Sequence, residues 1–279
     1  MSLEVFGADT STYLFWFVSL GFAGLMGGLL AGLLGVGGGI VIVPVLYHVF
    51  ATVGIAETLR MKIAVATSLA TIIATSAVSI RSHYQRGAVD HDLLKIWWLP
   101  ILAGVVMGTL LGGFVNGQFL SLVFASVALL VALRMLLSGN GAKLYDGFPN
   151  GFAKWFTGII VGLVSALMGI GGGTLSVPIL SAFGYDIRRA VGTAAAIGFI
   201  IAIPGTIGYI LTGLDIEGLP PFSLGYLNWA GALVLVPLTM LMAPVGAKLA
   251  HTIPRRGLQI CFAVFLTISS LRMFYDLLK

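Results

Sequence analysis

The chain carries GVGGGIVIVPVL at residues 35–46 and repeats the pattern 134 residues later as GIGGGTLSVPIL at residues 169–180. Two further landmarks recur in the same order: Ala66-Thr67-Ser68 loosely matches Gly192-Thr193-Ala194, and Leu133-Arg134-Met135 matches Leu271-Arg272-Met273. Landmarks that recur at one approximate spacing indicate a duplicated unit. We therefore predict a first transmembrane repeat at 1–137, a linker of turn-forming residues at 138–153 and a second transmembrane repeat at 154–279.

The composition indicates that lipid is the solvent of this protein. Hydrophobic residues make up 58% of the 279 residues and charged residues only 9%, whereas an average soluble domain is about 25% charged. The apolar runs are continuous, as in membrane helices. Glycines spaced four apart, Gly28 with Gly32 and Gly104 with Gly108 and Gly112, predict close packing between helices. We predict an all-α polytopic membrane protein.

Each repeat contains five apolar segments, and the glycine cluster joins the first two. The segments lie near 12–34, 40–50, 62–82, 95–115 and 118–137, and then near 154–169, 174–184, 190–212, 226–250 and 257–277. A helix over residues 40–50 would be only about 16 Å long, roughly half of a ~30 Å hydrocarbon core. We therefore expect 12–50 and 154–184 to form hairpins or broken, re-entrant helices.

The positions of Lys and Arg favour one orientation in the membrane. With the N-terminus outside and five segments per repeat, eleven of the fifteen basic residues lie inside and four lie outside: Arg60, Lys62, Arg272 and Lys279. An even number of crossings per repeat would place seven inside and eight outside, which the positive-inside rule disfavours. An odd number inverts one repeat relative to the other, as in many secondary transporters. We expect a multi-pass protein of a bacterial cytoplasmic (inner) membrane, with an extracytoplasmic N-terminus and an uncleaved first segment.

The two glycine clusters are the predicted substrate site. Short, Gly/Pro-interrupted segments at matching positions of two repeats point to a transporter's binding site. A helix that starts after glycines offers unpaired N–H groups and a partial positive charge to an anion. The expected contacts are the main chain of both clusters and nearby hydroxyl groups: Gly37, Gly38, Gly39, Ile40, Gly171, Gly172, Gly173 and Thr174, with Thr67, Ser68, Ser176 and Thr193. Helix packing alone is the alternative role of the clusters.

Four basic residues near segment ends form matching pairs and are candidates for a weaker supporting charge: Lys62 with Arg188, and Arg134 with Arg272. An interfacial anchor is the alternative for Arg134 and Arg272, because long basic side chains extend toward the membrane surface.

The doubled pattern Gly-x-Gly-Gly-Gly-x-x-x-Val-Pro-x-Leu, with a threonine in the segment after each copy, resembles the sulfite exporter TauE/SafE family. The resemblance covers essentially the whole chain. It implies a bacterial membrane carrier that moves sulfite or small organosulfur anions, such as sulfonates, outward. The second repeat departs from the first at Gly192-Thr193-Ala194, so a ligand at Ser68 would have no counterpart.

Other function classes lack the residues that their chemistry needs. All ten acidic residues lie in predicted loops or near segment ends, which argues against a carboxylate-coupled proton antiporter or a cation transporter. No metalloprotease, serine-hydrolase or P-loop motif occurs, and the basic residues are scattered. We therefore expect no enzyme activity, no metal, no other cofactor and no nucleic-acid partner. An importer or a channel for another small anion with the same fold is the alternative, and the sequence is compatible with a monomer or a homodimer.

Overall fold

The computed structural model describes residues 10–34, 37–52, 54–137, 151–249 and 255–278. Within them lie ten helices: α1 (Thr10–Leu34), α2 (Gly39–Thr52), α3 (Glu57–Tyr84), α4 (His91–Phe114), α5 (Gly117–Leu137), α6 (Phe152–Met168), α7 (Gly173–Ala182), α8 (Ile187–Leu211), α9 (Trp229–Leu249) and α10 (Arg255–Leu277). Each predicted apolar segment coincides with one helix. Residues 1–9, Gly35, Val36 and residues 138–150 of the predicted linker lie outside the described residues.

The segment before α9 differs from the prediction. Two short antiparallel strands, β1 (Ser223–Leu224) and β2 (Leu227–Asn228), occupy the start of the apolar run predicted at 226–250. The positive φ of 54° at Gly225 allows the tight turn between them. The helix therefore begins at Trp229, and the described fold is helical apart from this ribbon.

The helices have the lengths and surfaces of a polytopic membrane protein. By length and composition, six helices in the described residues can cross a membrane: α1, α3, α4, α5, α8 and α9. Large apolar side chains such as Phe15, Leu110 and Leu241 remain exposed on the outer helices, as expected where lipid replaces water. Helices satisfy their own main-chain hydrogen bonds, which the hydrocarbon core requires. The prediction of a helical, multi-pass membrane protein is confirmed.

The first two helices form a hairpin around the first glycine cluster. Trp16 Nε1, near the start of α1, donates a hydrogen bond of 3.1 Å to Thr52 Oγ1 at the end of α2. Further along, a Cβ placed on Gly27 of α1 would lie 3.0 Å from Ile42 Cγ1 of α2. The short α2 therefore runs back beside α1 and ends near the level where α1 begins.

Helices α3 and α8 pack against each other at the centre, and the remaining helices surround them. Helices α1–α5 form a first set and helices α6–α10 a second set, and helices of one set pack on helices of the other. Helix α1 packs on α9, α4 packs on α6, and α5 packs on α10. The first helix of each set thus contacts the fourth helix of the other set. Because α3 and α8 lie inside, their side chains are mostly small, hydroxyl-bearing or apolar and are largely buried.

Glycines set the close approach of the outer helix pairs. A Cβ placed on Gly28 would lie 2.5 Å from a main-chain oxygen of α9. A Cβ on Gly32 would overlap the Ala243 carbonyl oxygen, also in α9. In the α4–α6 pair, a Cβ on Gly104 would overlap the Ile159 carbonyl oxygen. The predicted packing role of these glycines is confirmed, since any side chain would force the helices apart.

Candidate functional site

The two glycine clusters lie against each other between α3 and α8. A Cβ placed on Gly37 would lie 3.3 Å from the Gly171 Cα, and one on Gly39 would overlap the Gly169 carbonyl oxygen. Gly37 and Gly38 have φ values of 73° and 78°, a region that favours glycine. This contact brings the N-terminal ends of α2 and α7 next to each other in the interior.

The second cluster presents a row of main-chain donors. The N–H groups of residues 171–175 have no acceptor among the described residues. The next residue, Ser176, donates to the Gly172 carbonyl oxygen through both its main-chain N–H, at 2.8 Å, and its hydroxyl group. Thr174 is buried, and its hydroxyl oxygen has no hydrogen-bond partner in the described structure. The start of α7 therefore has the positive potential and the free donors that an anion requires.

The first cluster has a similar form. The N–H groups of Val41 and Ile42 both donate to the Gly38 carbonyl oxygen, at 3.1 and 3.2 Å. Those of Gly39 and Ile40 have no acceptor within the part of the chain that the structure describes. The acceptors that a continuing helix would give them, residues 35 and 36, lie outside the described residues. The free donors that the structure describes therefore lie mainly at the start of α7.

Ser68 ties α3 to the second cluster. Its hydroxyl group is fully buried and donates a hydrogen bond of 2.7 Å to the Gly169 carbonyl oxygen. This bond spans the two predicted repeats and holds the turn before α7 against α3. Ser68 and Ser176 both use their hydroxyl hydrogens on main-chain oxygens, which gives them a positioning role at the junction.

Thr67 and Thr193 hold the starts of two neighbouring helices by accepting hydrogen bonds from the main chain. Thr67 Oγ1 accepts from the main-chain N–H of Asn228, just before α9, at 3.1 Å. Thr193 Oγ1 accepts from the main-chain N–H of Asp90, just before α4, at 2.9 Å. Asn228 and Asp90 are themselves N-caps, since their side chains accept main-chain N–H groups of α9 and α4. The two threonines thus fix the helices that surround the site.

Lys62 is the most deeply placed of the four predicted supporting charges. It is buried, and its Nζ donates to the Gly113 carbonyl oxygen at 2.7 Å and to the Tyr226 hydroxyl at 3.3 Å. The Nζ also lies 5.1 Å from the centre of the Tyr226 ring, a cation–π distance. Burial raises the pKa of Tyr226, so this phenol remains protonated beside the amine.

The other three predicted supporting charges lie away from the glycine clusters. Arg134 and Arg188 are exposed at the end of α5 and the start of α8. The Nε of Arg272 pairs with an Asp276 carboxylate oxygen at 3.3 Å. Of the four, only Lys62 therefore adds a buried positive charge to the interior.

A polar cavity of about 580 Å³ lies where the end of α2, the start of α3 and the end of α10 meet. Asp276 neutralises Arg272 there and lies 3.8 Å from His48 Nδ1. Arg60 donates its Nε to the Ile55 carbonyl oxygen and has no carboxylate partner among the described residues. The lining consists of Tyr47, His48, Ala51, Thr52, Glu57, Arg60, Arg272 and Asp276.

Sequence reasoning missed two residues with free polar groups. Ser76 in α3 is 1% exposed, and its hydroxyl oxygen has no partner in the described structure. Arg60 lines the polar cavity. A signal for Ser76 was present, because it lies eight residues after Ser68 and so falls on the same face of a helix. No comparable signal singles out Arg60, because its environment depends on α10, far away in sequence.

Comparison with known proteins agrees with this architecture. The profile of a family described as "Sulfite exporter TauE/SafE" matches residues 20–273. A probable membrane transporter protein of Haemophilus influenzae is 32% identical over 251 residues, which cover 90% of this chain and 95% of that protein. Another, of Methanocaldococcus jannaschii, is 28% identical over 251 residues, with coverages of 90% and 92%. A third, of Bacillus subtilis, is 25% identical over 279 residues, with coverages of 93% and 98%.

No solved structure matches the chain. The family profile spans both glycine clusters and eight complete helices, α2 to α9, together with most of α1 and α10, and the relatives align over nearly their whole lengths. The chain therefore belongs to the sulfite exporter TauE/SafE family of membrane transporters.

Proposed function

We propose that this protein is a secondary transporter that exports sulfite or small organosulfur anions, such as sulfonates, across the cytoplasmic membrane. The substrate binds near the midplane, between the Gly-rich N-terminal ends of α2 and α7. One observation carries the proposal: a row of N–H groups without acceptors among the described residues, at the start of α7, lies against the start of α2 in the interior between α3 and α8. Such donors favour a negatively charged ligand, because both the hydrogen bonds and the helix dipoles attract it.

The proposed carrier consists of two inverted repeats, each with a broken, re-entrant helix at its glycine cluster. The exchange of partners between the two sets of helices supports this arrangement, since a two-fold relation turns the α1–α9 contact into the α6–α4 contact. The distribution of Lys and Arg supports an extracytoplasmic N-terminus. Alternating access then follows from rocking one repeat against the other around the shared site.

The membrane potential supplies the driving force for export in this proposal. The cell interior is electrically negative, so a departing anion gains about 2.3 kcal/mol per charge per 100 mV. The acidic residues of the sequence lie near segment ends, where they do not act as a proton relay across the membrane. Export of an anion therefore requires no second coupled ion.

The test is anion efflux from proteoliposomes that contain the purified protein. Vesicles are loaded with sulfite, sulfoacetate, thiosulfate or acetate, and a valinomycin-imposed potassium gradient sets the potential. We expect saturable efflux of the sulfur oxyanions that accelerates when the interior is negative. Flux that does not saturate indicates a channel, and no flux of any of these anions contradicts the proposal.

The polar cavity is the proposed extracytoplasmic mouth of the path, and Arg60 attracts anions there. We expect Arg60→Gln to raise the KM for sulfite about threefold to tenfold, because a cation in a partly enclosed cleft raises the local anion concentration. Arg60→Lys should recover most of the loss, and higher ionic strength should shrink the difference. The control is Lys95→Gln, which removes an exposed cation on α4. Equal KM values for Arg60→Gln and the wild type would exclude this role for the cavity.

A further inference from the structure

The two glycine clusters face different side chains on the central helices. Ile72 of α3 fills the space beside the first cluster, with its Cδ1 2.8 Å from the position of a Cβ on Gly39 and its Cγ2 3.1 Å from one on Gly37. The residue 126 positions later, at the same offset as Thr67 and Thr193, is Gly198 of α8. Gly198 itself has no side chain, and α8 contacts the second cluster through Ile197 and Ile201: a Cβ on Gly172 would overlap Ile197 Cγ2 and lie 3.1 Å from Ile201 Cδ1.

Two polar groups lie next to Gly198. A Cβ placed on Gly198 would lie 3.0 Å from Ser76 Oγ, 3.6 Å from the Gly172 main-chain nitrogen and 3.8 Å from the Gly171 Cα. Neither the Ser76 hydroxyl nor the Gly172 N–H has a hydrogen-bond partner in the described residues. A buried polar group without a partner is costly, so a group that accepts hydrogen bonds is expected at this point.

The asymmetry extends to the hydroxyl group itself. At the same offset of 126 residues, Ser76 corresponds to Ala202. The second repeat therefore has no hydroxyl group at the position that Ser76 holds in the first. Thr174, buried without a hydroxyl partner, also belongs to the second cluster, where the first has Ile40.

We propose that the anion is held on one side only, at the N-terminus of α7, with the Ser76 hydroxyl group and the N–H groups of residues 171–175 as donors. This inference rests on the proposed function and assigns its substrate to one of the two clusters. A side chain at position 198 would extend toward Ser76 and the Gly172 N–H and so compete with the anion for these donors. The first cluster, for which the counterpart of Ser76 is Ala202, supports the second by contact and does not bind the anion.

The donors define the ligand class. They are N–H and hydroxyl groups, which suit an acceptor-only oxyanion. The bound group is therefore an oxyanion head, such as sulfite or the sulfonate end of a small organic acid, that sheds its water on entry.

Two variants test the proposed site directly. Gly198→Ala places a methyl group 3.0 Å from Ser76 Oγ and 3.6 Å from the Gly172 nitrogen, and Ser76→Ala removes the hydroxyl donor. Binding of sulfite and sulfoacetate is measured by calorimetry on the detergent-purified protein, and efflux is measured in proteoliposomes. We expect each variant to raise Kd by about tenfold or more, the effect of losing a hydrogen bond to a charged group.

Matched controls separate a local effect from a general one. Gly205→Ala adds the same methyl group to α8, seven residues further on, against the flexible end of Leu69. Thr75→Val removes a buried hydroxyl group of α3 that already donates to the Thr71 carbonyl oxygen. Ile72→Val trims the side chain at the first cluster. All three should keep Kd within about twofold of the wild type, and thermal melting should report folded protein for every variant.

The outcomes are distinct. Tenfold weaker binding in Ser76→Ala and Gly198→Ala, with unchanged controls, supports the one-sided site. Transport and binding at wild-type levels in both variants would overturn it while leaving the proposed function intact. Equal losses of anion affinity in Ile72→Val and Gly198→Ala would mean that both clusters hold the anion, and this result would also overturn the one-sided site. If the wild-type protein moves none of the anions, the proposed function fails and this inference fails with it.

Discussion

Gly32→Ala should destabilise the protein more than any other single methyl addition to α1. A Cβ at this position would overlap the Ala243 carbonyl oxygen and lie 2.6 Å from the Ala247 nitrogen, both main-chain atoms of α9. Main-chain atoms cannot rotate aside, so α1 and α9 must separate along their most extensive contact. Overpacking of an interior typically costs about 1–3 kcal/mol and occasionally more. We expect the upper end of this range.

The measurement is the apparent melting temperature of the detergent-purified protein, followed by the monodisperse fraction in size-exclusion chromatography. Gly32→Ala should lower the apparent melting temperature by roughly 10 °C. Gly21→Ala is the matched control on the same helix, because a Cβ there meets no atom within 4 Å. It should leave stability unchanged or raise it by up to about 1 kcal/mol through helix propensity. Equal melting temperatures for the two variants would mean that α1 and α9 do not pack as described.

Asp90→Ala should also destabilise the protein strongly. The buried Asp90 carboxylate caps α4 by accepting from the main-chain N–H groups of Asp92 and Leu93, at 3.1 and 3.0 Å. Its second oxygen lies 3.1 Å from a guanidinium nitrogen of Arg189 on α8. One side chain thus fixes the start of α4 and joins it to α8. We expect a cost of about 2–4 kcal/mol, because bonds to a buried charge are lost and an arginine loses its partner.

Asp186→Ala is the comparison for Asp90→Ala, because Asp186 is also an N-cap. Asp186 caps α8 through two main-chain N–H groups, those of Arg188 and Arg189, but it is exposed and forms no ion pair with any residue that the structure describes. Its loss should cost about 1 kcal/mol, the usual value for an N-cap. Thermal melting of both variants in the same detergent ranks them. A smaller loss for Asp90→Ala than for Asp186→Ala would contradict the joining role of Asp90.

The positions of the helices followed from the sequence because each depends on local composition. A continuous apolar segment in lipid must form a helix, since only a helix satisfies its main-chain hydrogen bonds within the segment. The ribbon at Ser223–Asn228 was not predicted, because its polar contacts come from distant residues. Asn228, for example, donates its main-chain N–H to Thr67, 161 residues earlier in the chain.

Only part of the candidate site could be predicted from the sequence. The two glycine clusters were recognisable because repetition marks them in the sequence, and the structure places them in contact. The hydroxyl groups of Thr67, Ser68 and Thr193 were expected to contact the substrate, whereas in the structure each of them bonds to the main chain. A hydroxyl group bonds to whichever partner the fold places within about 3 Å, and sequence spacing does not contain that distance.

The sequence by itself determined that this chain is a helical membrane protein with two related glycine clusters, because composition and repetition are linear properties. The doubled motif resembles the TauE/SafE family, and the family profile confirmed that resemblance. Only the tertiary structure decided which side chains meet which cluster. Ser76 belongs to α3, in the first repeat, but the packing of α3 against α8 places its hydroxyl group beside Gly198 and the second cluster. Ile72, four residues earlier on the same helix, contacts the first cluster. These contacts depend on how closely packed helices meet in three dimensions, which the order of residues along the chain does not contain.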